Sequence, residues 1–319
     1  MKSPKLWIFL AILAVAIAAP FFAYPIFLMK ILCFALFAAA FNLLLGYTGL
    51  LSFGHAAFFG GAGYCAGYFM RDMGVGPAGG IILGVVFAAA LGALIGGLAI
   101  RRQGIYFSMI TLALAQMFYF ICLQAPASGG EDGFQSIPRG ELFGFINLQS
   151  DLNLYYFVLA TTLIGFLFIT RIISSPFGQV LKAIKENEPR AISLGYNVNR
   201  FKFLVFVLSA ALAGLAGAVQ ALVLGFETLT DVHWTMSGLV ILMTLVGGVG
   251  TLAGPFVGAL VIVLLEHRVG EIGDFLAQIT GVAWFNSLGE SVTVVTGLIF
   301  VFCVMAFRRG LVGIFTKKQ

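Results

Sequence analysis

The sequence predicts an all-α polytopic membrane protein of about ten transmembrane helices, and three observations carry that prediction. First, 61% of the 319 residues are apolar or aromatic and only 10% are Asp, Glu, Lys or Arg, against roughly 25% charge in a soluble domain. A soluble fold of this size would have too little polar surface to face water. Composition therefore excludes a soluble enzyme, a disordered chain and a nucleic-acid binder. Second, apolar stretches near the ~20 residues that cross a ~30 Å hydrocarbon core recur along the chain. Third, Lys and Arg fall very unevenly on the two sides that those stretches define.

The stretches run over 6–23, 26–45, 50–70, 77–100, 104–124, 153–170, 201–225, 233–249, 251–266 and 288–307. The second and third, and the eighth and ninth, are separated only by Gly-rich turns, where re-entrant half-helices are an alternative. Lys2, Lys5, an apolar run and Ala16-Ile17-Ala18 resemble a secretory signal. The run continues past Pro20, so the segment is expected to stay as the first span. With the N-terminus inside, one face receives Lys2, Lys5, Arg101, Arg102, Arg171, Lys182, Lys185, Arg190, Arg200, Lys202, Arg308, Arg309, Lys317 and Lys318. The other receives Lys30, Arg71, Arg139 and Arg268. This positive-inside asymmetry puts both termini in the cytoplasm.

No domain boundary divides residues 1–319, which read as one membrane domain. Two long outer segments are expected, 125–152 with Glu131, Asp132, Glu141 and Asp151, and 267–287 with Glu271 and Asp274. These acidic loops are either docking sites or simply solvated. One long inner segment, 171–202, holds several basic residues. Cys33, Cys65, Cys122 and Cys303 sit in apolar runs without metal-ligand or disulfide spacing, so no metal site is expected.

No Asp, Glu, Lys or Arg falls near the middle of any expected span, which argues against a proton relay. A phosphate-binding GxxxxGK[ST] loop is also absent from the sequence. No catalytic group is proposed, and the chain reads as a pathway whose energy comes from elsewhere.

Gly76, Gly80, Gly84, Ala88, Gly92 and Gly96 recur every four residues and share one helix face. Small residues let another helix pack closely there, either statically or as a sliding surface. Gly250, Gly254 and Gly258 repeat the pattern more briefly. Residues 42–55 break an apolar run with three glycines and several hydroxyls. Irregular backbone at membrane depth survives only where protein or a water-filled cavity satisfies it. Asn42, Thr48, Ser52 and His55 are thus the first candidates for a translocation path, with a capped inner turn as the alternative. For His55 the alternative is a structural hydrogen bond. Thr111, Gln116 and Gln220 are further polar candidates along the spans. The second Gly-rich segment, Gly247 to Pro255, reads as a tight inner hairpin or part of a gate.

Within 171–202, Phe177, Val180, Leu181 and Ile184 recur at helical spacing, with Lys182 and Lys185 off that face. Asn187 is placed to cap a second short helix whose first turn holds Glu188 and Pro189, and Gly195 stops it. Such a bend between two short helices is either an amphipathic membrane-surface segment or a rigid lever that docks on another protein.

At this segment a family resemblance enters. Glu188-Pro-Arg-Ala191 followed by Gly195 resembles the coupling-helix motif of ABC importer permeases, with its middle Ala replaced and its Glu one place early. Residues 46–68 around Ser52-Phe-Gly-His55 resemble the permeases of branched-chain amino acid ABC importers, as do 104–113, the Gly129-Gly-Glu-Asp-Gly133 loop, 182–199 and 247–255. The resemblance covers about 42–310, and 101–130 is similar to the longer of the two paired permease types. It implies a bacterial inner-membrane subunit with a second permease, two ATPases and a periplasmic binding protein as partners. ATP and Mg would be held by the ATPases and no cofactor by this chain. Glu186, Asn187, Glu188, Pro189, Arg190, Ala191 and Gly195 would form the ATPase-coupling lever. The cargo expected is a branched-chain or related hydrophobic amino acid, with urea, short amides or aromatic acids as alternatives. A sodium-coupled secondary transporter and a passive channel are the readings from other classes.

Overall fold

The computed structural model describes residues 13–142, 144, 146–280, 297–298, 301 and 310–315, with side chains at these positions except 127, 269–280 and 314–315. The long helices are α1 (Pro25–Thr48), α2 (His55–Arg71), α3 (Pro77–Ala99), α4 (Ile105–Gln124) and α5 (Asp151–Ser174). Two short helices follow, α6 (Pro176–Glu186) and α7 (Glu188–Ser193), then α8 (Val198–Leu224). After these come α9 (Leu229–Val232), α10 (Trp234–Gly247), α11 (Gly254–Thr280) and α12 (Gly310–Phe315). Proline opens α1, α3 and α6, where its missing N–H costs nothing.

Five of these helices, α1, α3, α4, α5 and α8, are long and apolar enough to cross a membrane. Their burial sorts them into layers. In their most apolar stretches α1 is 78% buried and α8 67%, whereas α3, α4 and α5 are 28–33% buried. The core is therefore α1, α2 and α8, with α3 packed across α2 and α8, α5 against α1, and the α10–α11 pair against α1.

Small residues make these crossings possible. A Cβ on Gly217 of α8 would collide with the Phe59 carbonyl oxygen of α2. The glycine stripe of α3 works in the same way. A Cβ at Gly80 would lie 3.2 Å from Ala66 O, one at Gly84 2.7 Å from Ala62 O, and one at Gly92 2.5 Å from Ala210 Cβ. At Gly96 it would meet the Phe206 ring at 2.8 Å. The stripe is thus one contact face, seated between α2 and α8. Gly76 departs from it: it is exposed and forms the N-cap of α3, outside the packed face.

Contacts sort the connections into two opposite ends. At one end Lys185 of α6 reaches Gly46 O of α1, Asn42 bonds the α10–α11 turn, and Gly310 lies against Gly248. At the other end strand β1 (Phe134–Gln135) pairs antiparallel with β4 (Phe226–Glu227), in the register Phe134 with Glu227. Beside it β2 (Glu141–Leu142) and β3 (Ile146–Asn147) form a hairpin. Arg139 ties this end together, bonding Asp151 Oδ1 at 2.7 Å and Val223 O at 2.9 Å.

Two expected boundaries change, and one further stretch lies almost wholly outside the described residues. The stretch 50–70 is a break followed by a 17-residue helix. The ninth stretch runs on: α11 is helical to Thr280, so most of the expected outer loop 267–287 continues the helix and residues 281–287 lie outside the described residues. The tenth stretch, 288–307, lies almost wholly outside the described residues, as do Cys303 and residues 1–12 of the first. Helical residues 13–18 are held by α5, whose Tyr155 hydroxyl donates to Ala16 O at 2.6 Å.

Because the α2–α8 crossing has no room for a methyl group, Gly217→Ala is expected to cost about 1–3 kcal/mol, the usual range for overpacking. Gly238→Ala meets nothing within 4 Å and is expected to be neutral. Thermal unfolding of the two variants in detergent checks both; equal midpoints would contradict the packing account.

Candidate functional site

The segment after α5 is built by local rules. Ser175 Oγ accepts from Gly178 N to cap α6, and Asn187 Oδ1 accepts from Arg190 N at 3.0 Å to cap α7. Helix α7 ends in a paired C-terminal motif, with Tyr196 N donating to Ala191 O and Gly195 N to Ile192 O. Gly195 takes φ +88°, a conformation that favours glycine. Ile184, Ala191 and Val198 bury together against Val180 and Phe201, a small separate core that makes α6, α7 and the start of α8 one unit.

That unit is fastened at two points. The Lys202 ammonium is buried, 2.8 and 2.7 Å from the two Glu188 carboxylate oxygens, and Gln103 from the α3–α4 turn donates to Glu188 Oε1 at 2.9 Å. Lys185 donates to Gly46 O at 2.7 Å. The carboxylate of Glu188 therefore points into its own chain. What remains outward is Glu186, Pro189, Arg190 and Gly195, with the apolar side chains Ile192, Leu194 and Tyr196 exposed by 57%, 68% and 41%.

Next to the unit lies the break between α1 and α2. Its backbone is satisfied by hydroxyls of neighbouring helices. Thr111 Oγ1 accepts from Phe53 N at 3.2 Å, Ser108 Oγ donates to Leu51 O at 2.6 Å, and Ser237 Oγ accepts from Ala56 N at 2.8 Å. Ser52 Oγ accepts from Gly54 N within the break. Asn42 clamps the other Gly-rich turn, donating to Thr251 O and accepting from Gly250 N, both at 2.9 Å. Gly248 and Gly250 bend that turn into the tight hairpin expected of 247–255.

His55 is fully buried among Phe41, Phe58 and Phe206. Its Nε2 lies 2.9 Å from Ser209 Oγ, whose single proton goes to Ala40 O at 2.6 Å. Ser209 must then accept, which makes His55 an Nε2–H donor. Asn42, Thr48, Ser52, His55 and Thr111 are thus brought together near the break, and each has hydrogen bonds within the chain. Gln116 and Gln220 each have a buried Oε1 with no partner among the described residues.

The opposite end holds a site that the sequence did not disclose. Glu227 is 2% exposed, packs flat on Gly63 of α2, and its Oε1 has no partner among the described residues. The Tyr64 hydroxyl is likewise buried and unpartnered, within electrostatic reach of Glu227, Asp231, Cys122 and Tyr119. Burial pushes the Glu227 carboxyl well above the usual carboxylate range, and the neighbouring Asp231 raises it further. Asp231 is also raised by burial, opposed by its hydrogen bonds to Thr228 and by Lys30. Thr228 and Asp231 form a reciprocal capping box on α9, a pairing legible as Thr-x-x-Asp. Nothing in the sequence marks Glu227, which sits in a short connection between apolar runs. Among the described residues no group of three or more His, Cys, Asp or Glu could hold a metal ion.

Apolar helices around a broken segment, joined to a short capped unit with an exposed apolar tip, define a multi-pass helical membrane protein. Residues 23–307 match the family described as the branched-chain amino acid transport system permease component, and the chain belongs to that family. The chain is 26% identical to the high-affinity branched-chain amino acid transport system permease protein LivM of Escherichia coli over 263 residues, 75% of this chain and 62% of that one. The LivM of Salmonella typhimurium is 25% identical over 299 residues, 85% of this chain and 70% of that one. The ribose import permease protein RbsC of Bacillus subtilis is 27% identical over 328 residues, 96% of this chain and 92% of that one. The chain spans about 62% of the length of the Escherichia coli relative. No solved structure matches it.

Glu188→Gln strands a buried ammonium and is expected to cost about 3 kcal/mol, while Glu188→Gln with Lys202→Met recovers most of it. Additive losses in this double-mutant cycle would show that the pair does not couple. The raised Glu227 carboxyl binds its proton more tightly in the folded chain than in the unfolded one. Its stabilisation is therefore complete below the ordinary carboxylate range and is lost as pH rises toward the folded-state value. The unfolding midpoint is expected to fall as pH rises above the ordinary carboxylate range, and Glu227→Gln to flatten that fall. Identical slopes in the two proteins would contradict the assignment.

Proposed function

We propose that this chain is the membrane permease subunit of a binding-protein-dependent ABC importer of the bacterial inner membrane, moving branched-chain or related hydrophobic amino acids inward. The observation that carries the reading is the α6–α7 unit: rigid, fastened to α1 and α8, and exposing Arg190, Ile192, Leu194 and Tyr196 at its tip. A membrane-surface amphipathic segment has no use for two bolts into the bundle. A lever does. In this reading two partner ATPases, which hold ATP and Mg, dock on that tip, a second permease completes the path, and a periplasmic binding protein delivers the cargo to the β1–β4 end.

ATPase closure displaces the lever toward or away from the membrane. Glu188–Lys202 carries the displacement into α8, and Lys185–Gly46 carries it into the end of α1. Asn42 passes it from α1 to the α10–α11 turn, so both Gly-rich breaks move with the lever. The hydroxyl, amide and apolar surface around the breaks suits a zwitterion with an apolar side chain, and selection among cargoes rests with the binding protein. Urea, short amides and aromatic acids are the alternative cargoes, and a sodium-coupled secondary transporter is the alternative class.

Leu194→Asp and Arg190→Glu are expected to lower ATP-driven uptake of a radiolabelled branched-chain amino acid at least about tenfold, the effect of losing ~1.4 kcal/mol of docking free energy. Membrane levels should stay unchanged. Purification of the tagged chain from its native membrane should recover a second permease and ATPase subunits. Uptake that is unaffected by both variants, or that follows a sodium gradient without ATP, would overturn the reading.

A further inference from the structure

A groove of about 360 Å³ runs between the last turn of α3 and the first turns of α8, on the lever side of the bundle. Its walls are apolar, formed by the Gly96–Gly97 backbone, Phe203 and Leu204, and a Cβ on Gly97 would meet nothing within 4 Å. Leu204 and the neighbouring Leu98 are more than half exposed, so the groove opens sideways, where hydrocarbon surrounds the bundle. Its mouth is polar, carrying Asn199, Arg101 and Arg200.

Those two arginines have charge to spare. Among the described residues neither guanidinium forms an ion pair: the three ion pairs are Arg71–Asp72, Arg139–Asp151 and Lys202–Glu188. Glu188, the carboxylate of this region, is already bonded by Lys202 and Gln103. Arg200 is also the third residue of the 27-residue α8, where the positive end of the helix dipole adds to its own charge. A guanidinium binds phosphate oxygens in bidentate fashion, and two at the rim of an apolar slot match a charged head attached to a hydrocarbon tail. A basic pocket between helices at a membrane surface is the physical form of an anionic-lipid site.

We propose that this groove is a binding site for an anionic phospholipid, with the phosphate between Arg101 and Arg200 and an acyl chain along Gly97, Phe203 and Leu204. A bilayer supplies this ligand laterally and at high local concentration, and its charge complements the two unpaired arginines where a zwitterionic lipid's ammonium would oppose them. Arg200 lies two residues from Lys202, so the bound lipid braces the helix turn on which the lever is fastened. The inference rests on the chain's place in a membrane and not on the solute it carries, so it stands or falls independently of the transport reading.

The test is lipid retention by the purified full-length chain. The chain is incorporated in nanodiscs of equal phosphatidylglycerol and phosphatidylcholine, transferred to mild detergent, and its bound lipid identified by native mass spectrometry. Wild type is expected to retain phosphatidylglycerol over phosphatidylcholine by at least tenfold. Arg101→Gln with Arg200→Gln should abolish that preference, with an unchanged unfolding midpoint, while Arg171→Gln, an exposed basic residue outside the groove, should keep it. Gly97→Trp, which fills the slot without touching either charge, should also lose retained lipid. No preference in wild type, or an equal loss in Arg171→Gln, would overturn the site. So would displacement of the lipid by inorganic phosphate alone, which would make it a free-anion site, or disulfide capture of a Gly97→Cys variant by a second permease, which would make it a protein interface.

Discussion

Every backbone polar group at membrane depth needs a partner, and the break between α1 and α2 is where this constraint bears hardest. Six residues there, 49–54, leave helical geometry inside a bundle of apolar helices. Their N–H and C=O groups are met by Thr111 and Ser108 from α4 and by Ser237 from α10, while His55 joins α2 through Ser209 to the Ala40 carbonyl of α1. Side chains of α4 and α10 thus converge on one short segment and the first turn that follows it. The arrangement of the core around α1, α2 and α8 follows from that convergence together with the glycine contacts that let the helices come close enough.

The same logic holds the α6–α7 unit in one shape. A two-helix segment of this size would fray in isolation, since short helices are marginal in water. Here caps at both ends of α7, a private apolar core and a buried ion pair hold it in one shape. The Glu188–Lys202 pair is a fastening more than a source of stability, because the cost of burying both charges offsets most of their attraction. What it contributes is registry: the lever meets α8 at one place, and Lys185 meets α1 at another. The Lys185 fastening ends beside the Gly-rich turns, close to both Gly46 and Gly250.

Ionisable groups are distributed with a purpose that differs between the two ends. On the side of the α6–α7 unit most are cations, several of them exposed beside Glu186 and Glu188, and the groove between α3 and α8 is rimmed by two. At the opposite end the notable groups are carboxyls withdrawn from water, Glu227 against Gly63 and Asp231 capping α9. The β1–β4 pairing packs against α2 with the Glu227 carboxyl buried beneath it, and that burial raises the carboxyl well above the usual range.

The sequence by itself determined the class of this protein, because composition and apolar length are properties of a helix alone: α1, α3, α4, α5 and α8 fall where the hydropathy puts them. Capping is equally local, so Asn187, the first turn of α7 and the stop at Gly195 were readable from spacing, and so was the stripe from Gly80 to Gly96. Tertiary structure decided whatever depends on a distant partner. Glu188 is legible as part of a capped first turn, but not that Lys202, fourteen residues away, and Gln103, eighty-five away, bond its carboxylate. Asn42 is legible as a polar residue before a break, but not that the α10–α11 turn, more than two hundred residues on, takes both ends of its amide. Glu227 reads as a loop carboxylate until the glycine face of α2 buries it. Periodicity records which face of a helix is apolar, whereas the partner that meets a polar group is set by how the helices cross, and that is fixed only when the bundle assembles.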